Sequence, residues 1–173
     1  MVPATRPKMA DKTIAERLQP SLLDRLTDSE PGNLKESREL RVIDVVRLRE
    51  IIQRDLSWLL NTNNIESTFD PEIYPNVARS VLNYGLREVS GTFSTTNRAE
   101  MIRRSIEQAI ATHEPRIIEG SVDVMLTPGD SDNDMTVALD IRADMWAQPL
   151  PLELYLRSRV DVTTGEVTVE RSL

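Results

Sequence analysis

The chain has 173 residues, no cysteine, a single histidine and a formal net charge of −7. Without cysteine it has no disulfide scaffold, no thiolate metal site and no cysteine nucleophile, and it fits a reducing compartment. The negative charge disfavours general binding to nucleic acid. Because apolar runs are short, we expect no membrane insertion and no secretory signal. The length predicts one domain over residues 13–173, preceded by a mobile tail of residues 1–12.

Two helices are predicted before residue 61. Residues 21–26 read as a short amphipathic helix, and a long helix is predicted between about residues 37 and 60. Five apolar residues of the long helix share one face of the 3.6-residue period: Val45, Leu48, Ile52, Leu56 and Leu59. A second stripe, on roughly the opposite side, consists of Leu40, Arg47, Ile51 and Trp58. Either the fold covers this helix on two sides, or the second stripe meets a partner.

Two more helices are predicted in the middle of the chain. Residues 76–83 read as a short helix, for which Gly85 is a suitable C-terminal cap. Asn97 is the predicted N-cap of a longer helix. Pro115 ends that helix near His113, because the residue before a proline avoids the helical region. His113, the single imidazole of the chain, is interpreted as a packed helix-end residue and not as a catalytic group.

After Pro115 the apolar period changes from 3.6 residues to 2, which indicates strands. Alternation covers residues 122–126, 135–143, 152–162 and 167–169. Helices followed by hairpin-linked strands predict an α+β fold, with the N-terminal helices packed on one face of a C-terminal antiparallel sheet. An open edge of such a sheet can accept a strand from a neighbour. Either residues 152–156 or residues 167–169 could provide that edge.

Motifs that carry chemistry are few. Residues 130–134 (DSDND) have the acidic spacing that opens a calcium loop, but Met135 stands where that loop needs glycine and Ile141 where it needs glutamate. We therefore interpret this segment as a hairpin loop. The chain has no phosphate-binding or nucleophile motif, and we predict neither a metal nor a cofactor.

The segment Glu114-Pro115-Arg116 stands where the last helix gives way to the sheet. Proline fixes this junction, and two opposite charges flank it. In extended backbone, residues i and i+2 project to the same side. Glu114 and Arg116 can therefore pair with each other, or present a charge couple to complementary groups on a partner.

Four segments follow one another along the chain: PSLLDRL (residues 20–26), RDLSWLLNT (54–62), SVLNYG (80–85) and HEPRI (113–117). Taken together, they resemble the TssE family, the baseplate subunits of bacterial type VI secretion systems. That family is itself similar to the baseplate-wedge protein of contractile-tailed phages, often labelled lysozyme-like. The resemblance extends over about residues 13–170.

The resemblance implies a structural baseplate component, not an enzyme, in the cytoplasm at the inner face of the inner membrane. Its implied partners are the wedge subunits TssF, TssG and TssK and the sheath subunits TssB and TssC, whose polymerisation it would promote. The segment Glu114-Pro115-Arg116 matches the family's Glu-Pro-Arg motif and would mediate baseplate and sheath contacts. The N-terminal residues that would face the other wedge subunits are Leu22, Leu23 and Leu26.

The lysozyme-like label supplies an alternative hypothesis, a peptidoglycan-cleaving muramidase with Glu114 as its general acid. Such an acid needs a raised pKa, whereas the nearby Arg116 favours the ionised carboxylate. We therefore prefer the structural role. It predicts that alanine at position 114 or 116 leaves the fold intact and abolishes sheath assembly.

The net charge is unevenly distributed along the chain. Residues 117–173 contain eleven acidic and four basic side chains, whereas residues 1–116 contain seventeen of each sign. We therefore expect the outer face of the sheet to be acidic. A contact made through that face should weaken as salt is added.

Overall fold

A computed structural model of the protein describes residues 21–27, 31–32, 43–87, 95–127, 136–146 and 151–171. Its helices are α1 (Leu22–Leu26), α2 (Val45–Leu60), α3 (Pro75–Ala78) and α4 (Thr95–His113). Its strands are β1 (Asp123–Leu126), β2 (Thr136–Met145), β3 (Leu152–Asp161) and β4 (Val167–Arg171), and 3₁₀ turns cover Glu66–Thr68 and Val81–Asn83. The predicted tail, Leu40 and the loop over residues 130–134 lie outside the described residues.

Helix α2 presents a continuous apolar face to the core. Asp44 caps its first turn, because its carboxylate accepts a 2.7 Å hydrogen bond from the backbone N–H of Arg47. The predicted face is confirmed by the buried residues Leu48, Ile52, Leu56 and Leu59 and the half-buried Val45. The residues of the second stripe differ in burial, since Ile51 is buried whereas Trp58 is 50% exposed. The fold therefore covers part of that stripe and leaves Trp58 at the surface.

The described strands form one antiparallel sheet in the order β1-β2-β3-β4. Ile141 of β2 lies opposite Val124 of β1 and Leu156 of β3. Side chains alternate between the two faces of a sheet, so this apolar row lies on one face. Since β1 and β4 are the edges, residues 167–169 lie at an edge. Residues 152–156 belong to β3, which lies between β2 and β4. Since β4 pairs only with residues 156–160, residues 152–155 have no described strand on their β4 side.

Helices α2 and α4 cover that apolar face, which confirms the predicted α+β fold. The side chains most completely removed from water include Ile52, Ile106, Ile141 and Leu156. Burying each of them contributes roughly 1.5–3 kcal/mol. Helix α4 begins at Thr95, two residues before the predicted cap at Asn97, and ends at His113 as predicted. No described helix combines the length and the apolar character needed to cross a membrane.

The helix predicted over residues 76–83 is divided, because α3 and a separate 3₁₀ turn occupy this segment. Gly85 is consequently no helix cap, and that prediction is wrong. Its φ is +121°, and an added Cβ would lie 2.2 Å from the carbonyl oxygen of Thr62. The neighbouring Leu86 N–H donates to the same carbonyl at 2.7 Å. Glycine stands here because the backbone passes close to the end of α2.

The outer face of the sheet carries both signs of charge. Its acidic side chains include Asp123, Asp140, Asp144, Glu153 and Glu170, and its basic ones Arg142, Arg157 and Arg159. Arg157 pairs with Asp140 at 3.3 Å. Arg159 pairs with Glu170 at 3.6 Å. Acidic groups outnumber basic ones on the described strands, but cross-strand ion pairs keep this face from being uniformly acidic.

Candidate interaction surface

The junction between α4 and the sheet is held by hydrogen bonds on both sides of Pro115. Before it, the N–H of Glu114 donates to the carbonyl of Ile110 at 3.0 Å and so continues the last turn of α4. After it, the carbonyl of Arg116 accepts from the N–H of Trp146 at 2.7 Å, just beyond the end of β2. The backbone at the predicted interaction motif is therefore clamped between a helix end and a strand end.

The two charged side chains of the junction pair with each other. Oε1 of Glu114 accepts from the backbone N–H of Arg116 at 3.0 Å and from its Nε at 2.7 Å, and Oε2 accepts from Nη2. The side chain of Glu114 is 5% exposed and that of Arg116 is 28% exposed. Of the two arrangements compatible with the sequence, the folded chain adopts the internal pair. Only its basic end reaches solvent appreciably.

Arg116 is also one end of a series of ion pairs that crosses α2 and reaches α1. Its Nη2 donates to Oδ2 of Asp55 at 2.8 Å. The other carboxylate oxygen of Asp55 accepts from Nη2 of Arg54 at 2.7 Å. Arg54 in turn donates to both carboxylate oxygens of Asp24, at 2.7 and 3.1 Å. We call this series of alternating charges the charge ladder: Asp24, Arg54, Asp55, Arg116 and Glu114.

The ladder favours the charged forms of Asp24, Arg54 and Arg116. The hydrogen bond from Arg54 lowers the pKa of Asp24 below its ordinary value of 3.8, although burial acts in the opposite direction. The same hydrogen bond raises the pKa of Arg54. For Arg116, burial works against the charged form, but hydrogen bonds and attraction from Glu114 and Asp55 outweigh it and raise the pKa. Ion pairing exceeds desolvation in each of these groups.

Helix α1 is attached to the rest of the protein by its polar side. Its leucines are 69%, 48% and 75% exposed, in the order Leu22, Leu23 and Leu26. The anchor is Asp24, whose side chain is 13% exposed and is bound by Arg54. An amphipathic helix ordinarily buries its apolar stripe, whereas α1 turns its stripe outward. The three leucines form an exposed apolar patch, which we call the leucine surface.

Trp58 of α2 lies beside the anchor of α1. The guanidinium carbon of Arg54 is 4.8 Å from the centre of the Trp58 ring, within the range of a cation–π contact. Arg54 therefore binds Asp24 and stacks on an aromatic ring that is itself 50% exposed. Trp58 was not predicted as a site residue. Its place on the second stripe of α2 was the signal that a partner contact was possible there.

An open cleft lies beside the junction, between α4 and the end of β2. Its volume is about 570 Å³, and its lining includes Ala111, Ile117, Ile118 and Val122. Pro115 borders it and is exposed, and Trp146 borders it with 61% exposure. Trp146 carries no periodic sequence signal, because it stands alone just after a strand. Since Glu114 is paired internally, Pro115 and Trp146 are the exposed groups that flank it at the cleft.

The remaining polar groups near the junction are used in packing. Nε2 of His113 lies 3.2 Å from the carbonyl oxygen of Asn83, and the ring meets Tyr84 edge-on with centroids 5.4 Å apart. Burial, followed by the charges of Asp55 and Glu114, raises the pKa of Tyr84. The helix-end role predicted for His113 is confirmed. Among the residues that the structure describes, no cluster of histidine and acidic side chains is arranged to hold a metal ion.

The fold and the site define a small α+β domain with two distinctive features, an outward-facing leucine surface and a clamped helix-to-strand junction. Both features are typical of proteins that assemble with other proteins. The family model for baseplate wedge protein gp25 matches residues 46–150. The chain therefore belongs to the gp25 baseplate-wedge family, the family of TssE, and is a structural baseplate component. Comparison with the curated proteins and with the solved structures gives no significant match.

The matched range contains α2, the junction and β2, but neither α1 nor β3 and β4. Family membership therefore rests on the part of the chain that carries four members of the charge ladder. The leucine surface lies outside it. What α1 does must be argued from its own geometry.

Proposed function

We propose that this protein is the TssE-type subunit of a type VI secretion baseplate. It links the wedge subunits TssF, TssG and TssK to the TssB/TssC sheath and promotes polymerisation of that sheath. It acts in the cytoplasm, in a baseplate at the inner face of the inner membrane. The observation that carries the proposal is the charge ladder, because it joins the two segments expected to contact different partners.

The leucine surface is the wedge-facing side in this proposal. Three leucines exposed on a helix of five residues cost solubility and contribute nothing to the core of the free protein. An apolar groove on TssF, TssG or TssK would remove them from water. Trp58 and the Arg54–Asp24 pair would then lie at the border of the interface, where aromatic and arginine side chains are common.

The junction and the adjoining sheet form the sheath-facing side. The exposed Pro115 and Trp146 border the cleft, and Arg116 supplies a partly exposed cation held in a fixed orientation. The edge of β1 has the backbone geometry that an added strand from a sheath subunit requires, whereas Gln53 and Asn61 already bind the edge of β4. Clamping by α4 and β2 keeps these groups rigid, which lowers the entropy lost on binding.

The geometry argues against Glu114 as the general acid of a muramidase. A general acid must give up a proton, whereas both oxygens of this carboxylate accept hydrogen bonds from Arg116. Asp55, the nearest other carboxylate in the ladder, is held between two arginines. Purified protein should release no soluble sugar from peptidoglycan. Sustained release that is lost in Glu114→Gln would overturn the structural assignment.

Three variants test the two partner-facing sides in cells that assemble the secretion system. A triple substitution of Leu22, Leu23 and Leu26 by glutamine should abolish co-purification with TssF, TssG and TssK while the purified protein keeps its melting temperature. Pro115→Glu and Trp146→Glu should leave that co-purification unchanged and prevent fluorescent TssB from forming sheaths, because each places a charge at the junction's exposed side.

Glu119→Gln is the matched control, since it changes an exposed side chain that also borders the cleft. It should assemble normal sheaths. The proposal fails if the leucine variant retains all three wedge subunits, or if both junction variants build sheaths as the wild type does. Loss of sheath in the control as well would mean that the cleft is merely sensitive to any change.

A further inference from the structure

The outer edge of β4 is occupied by two side-chain amides from α2. The carboxamide oxygen of Asn61 accepts from the N–H of Val167 at 2.9 Å, and its nitrogen donates to the carbonyl of Val167 at 2.8 Å. Two turns earlier on α2, Nε2 of Gln53 donates to the carbonyl of Val169 at 3.0 Å. Three hydrogen bonds therefore reach β4 from the side opposite β3.

The bonded groups are those that a further strand would use. Asp161 N–H donates to the carbonyl of Glu166 at 2.9 Å, so Glu166 faces β3. Antiparallel residues alternate between facing the neighbouring strand and facing away, which turns Val167 and Val169 outward. A residue of an added antiparallel strand would exchange one N–H and one carbonyl bond with Val167. Asn61 makes the same two bonds with a single side chain.

The position of Asn61 is held by its own helix. Its nitrogen also donates to the carbonyl of Ser57 at 2.8 Å, and its backbone N–H donates to that carbonyl at 3.2 Å. The carboxamide is thus oriented before it meets β4. An unprotected edge strand is a template for pairing with another chain, and proteins commonly cover such edges. Here the cover is a peptide-like group placed at the end of α2.

We propose that Asn61 and Gln53 form an edge lock, which closes β4 to strand addition in the free protein. The strand that it excludes is β4 of a second copy of this chain. That strand carries the same outward-facing N–H and carbonyl groups, and two copies of β4 can pair with each other in the antiparallel sense. The edge lock concerns the isolated protein. Its test is independent of the assignment to a secretion baseplate.

The test compares the full-length wild type with a Gln53→Ala/Asn61→Ala variant. At low concentration the Val167 amide of the variant should exchange with deuterium at least tenfold faster, because its acceptor is gone. Raising the concentration about a hundredfold should produce dimers in sedimentation velocity and return the Val167 amide to slow exchange. Wild type should show neither change. Asn61→Asp, which keeps the size of the side chain but cannot donate to the Val167 carbonyl, should have an intermediate effect.

Thr62→Ala is the control for disturbance of the helix end. Thr62 follows the end of α2, and its hydroxyl donates to the Trp58 carbonyl at 2.8 Å and not to β4. This variant should behave as the wild type. The inference is overturned if both Asn61 variants stay monomeric at every concentration. It is equally overturned if they associate while the Val167 amide remains in fast exchange, since the contact would then lie elsewhere.

Discussion

The leucine surface and the helix-to-strand junction, the two segments that the family resemblance singled out, differ in which of their groups reach solvent. The leucine surface is apolar, exposed and attached to the body through the carboxylate of Asp24. The junction is charged, and its acidic side chain is 5% exposed. One segment therefore offers groups that a partner can cover directly. The other keeps its acidic charge inside, paired with Arg116, and presents the exposed Pro115 and Trp146 beside it.

This contrast changes how loss of function at the two segments should be interpreted. A substitution in the leucine surface removes contact area and leaves the fold alone. A substitution of Glu114 removes one of the two carboxylate partners of the partly buried Arg116, and its effect on assembly would pass through the local fold. The expectation that alanine at position 114 leaves the fold intact therefore conflicts with the burial of this side chain.

The largest effect is expected at Glu114. Replacing Glu114 by alanine should lower the free energy of unfolding by about 2–3 kcal/mol, because the partly buried Arg116 loses the carboxylate that accepts three of its hydrogen bonds and keeps only Asp55. Glu114→Gln keeps one acceptor and should cost roughly 1–2 kcal/mol. Urea denaturation measures both values. A loss below about 0.5 kcal/mol in the alanine variant would mean that the junction is as loosely held as a surface pair.

A smaller effect is expected at the other end of the ladder. Arg54→Ala removes the bonds to Asp24 and Asp55 and should cost about 1 kcal/mol, since these pairs are partly exposed. Helix α1 should then detach while the core persists, because no residue of α1 is buried. Limited proteolysis should cut residues 21–27 at least tenfold faster than in Arg104→Ala, a control that breaks an exposed pair within α4. Equal cutting rates would show that α1 has another anchor.

The smallest effect is a release of α1 by acid. The folded-state pKa of Asp24 lies below its ordinary value of 3.8. Its stabilising contribution is therefore complete above that value and is lost as the pH falls through the lower folded-state pKa. In a Trp146→Phe background, the emission of Trp58 should change in this acidic range as Arg54 loses its partner. Asp24→Asn should show no such step, and a step of equal size in that variant would assign it to other carboxylates.

Most of the fold could be predicted because its signals are local. The stripe of α2 and the alternation in β2 and β3 are repeated over enough residues to decide helix or strand without tertiary information. The prediction of one helix over residues 76–83 was wrong for the opposite reason. It is short, and the backbone contact between Gly85 and Thr62 depends on the end of α2, which no local pattern records.

The site could be predicted only in part. The motif Glu114-Pro115-Arg116 was found as a unit, and its two possible charge arrangements were both compatible with extended backbone. The choice between them was made by Asp55, which approaches Arg116 from α2 and completes the pairing. Nothing in the spacing of Asp24, Arg54 and Asp55 relates them to the junction, since they meet only after α1, α2 and α4 have packed.

By itself, the sequence determined the order of helices and strands, the aliphatic core and the chemical character of the two segments that carry the family resemblance. Tertiary structure decided which side of each segment faces water: outward for the leucines of α1, inward for Glu114. It also decided that the amide of Asn61 meets the edge of β4. The physical reason is the separation along the chain of the residues that interact. Periodicity encodes burial along one element, whereas ion pairs and edge contacts form between elements whose relative position follows from packing the whole core.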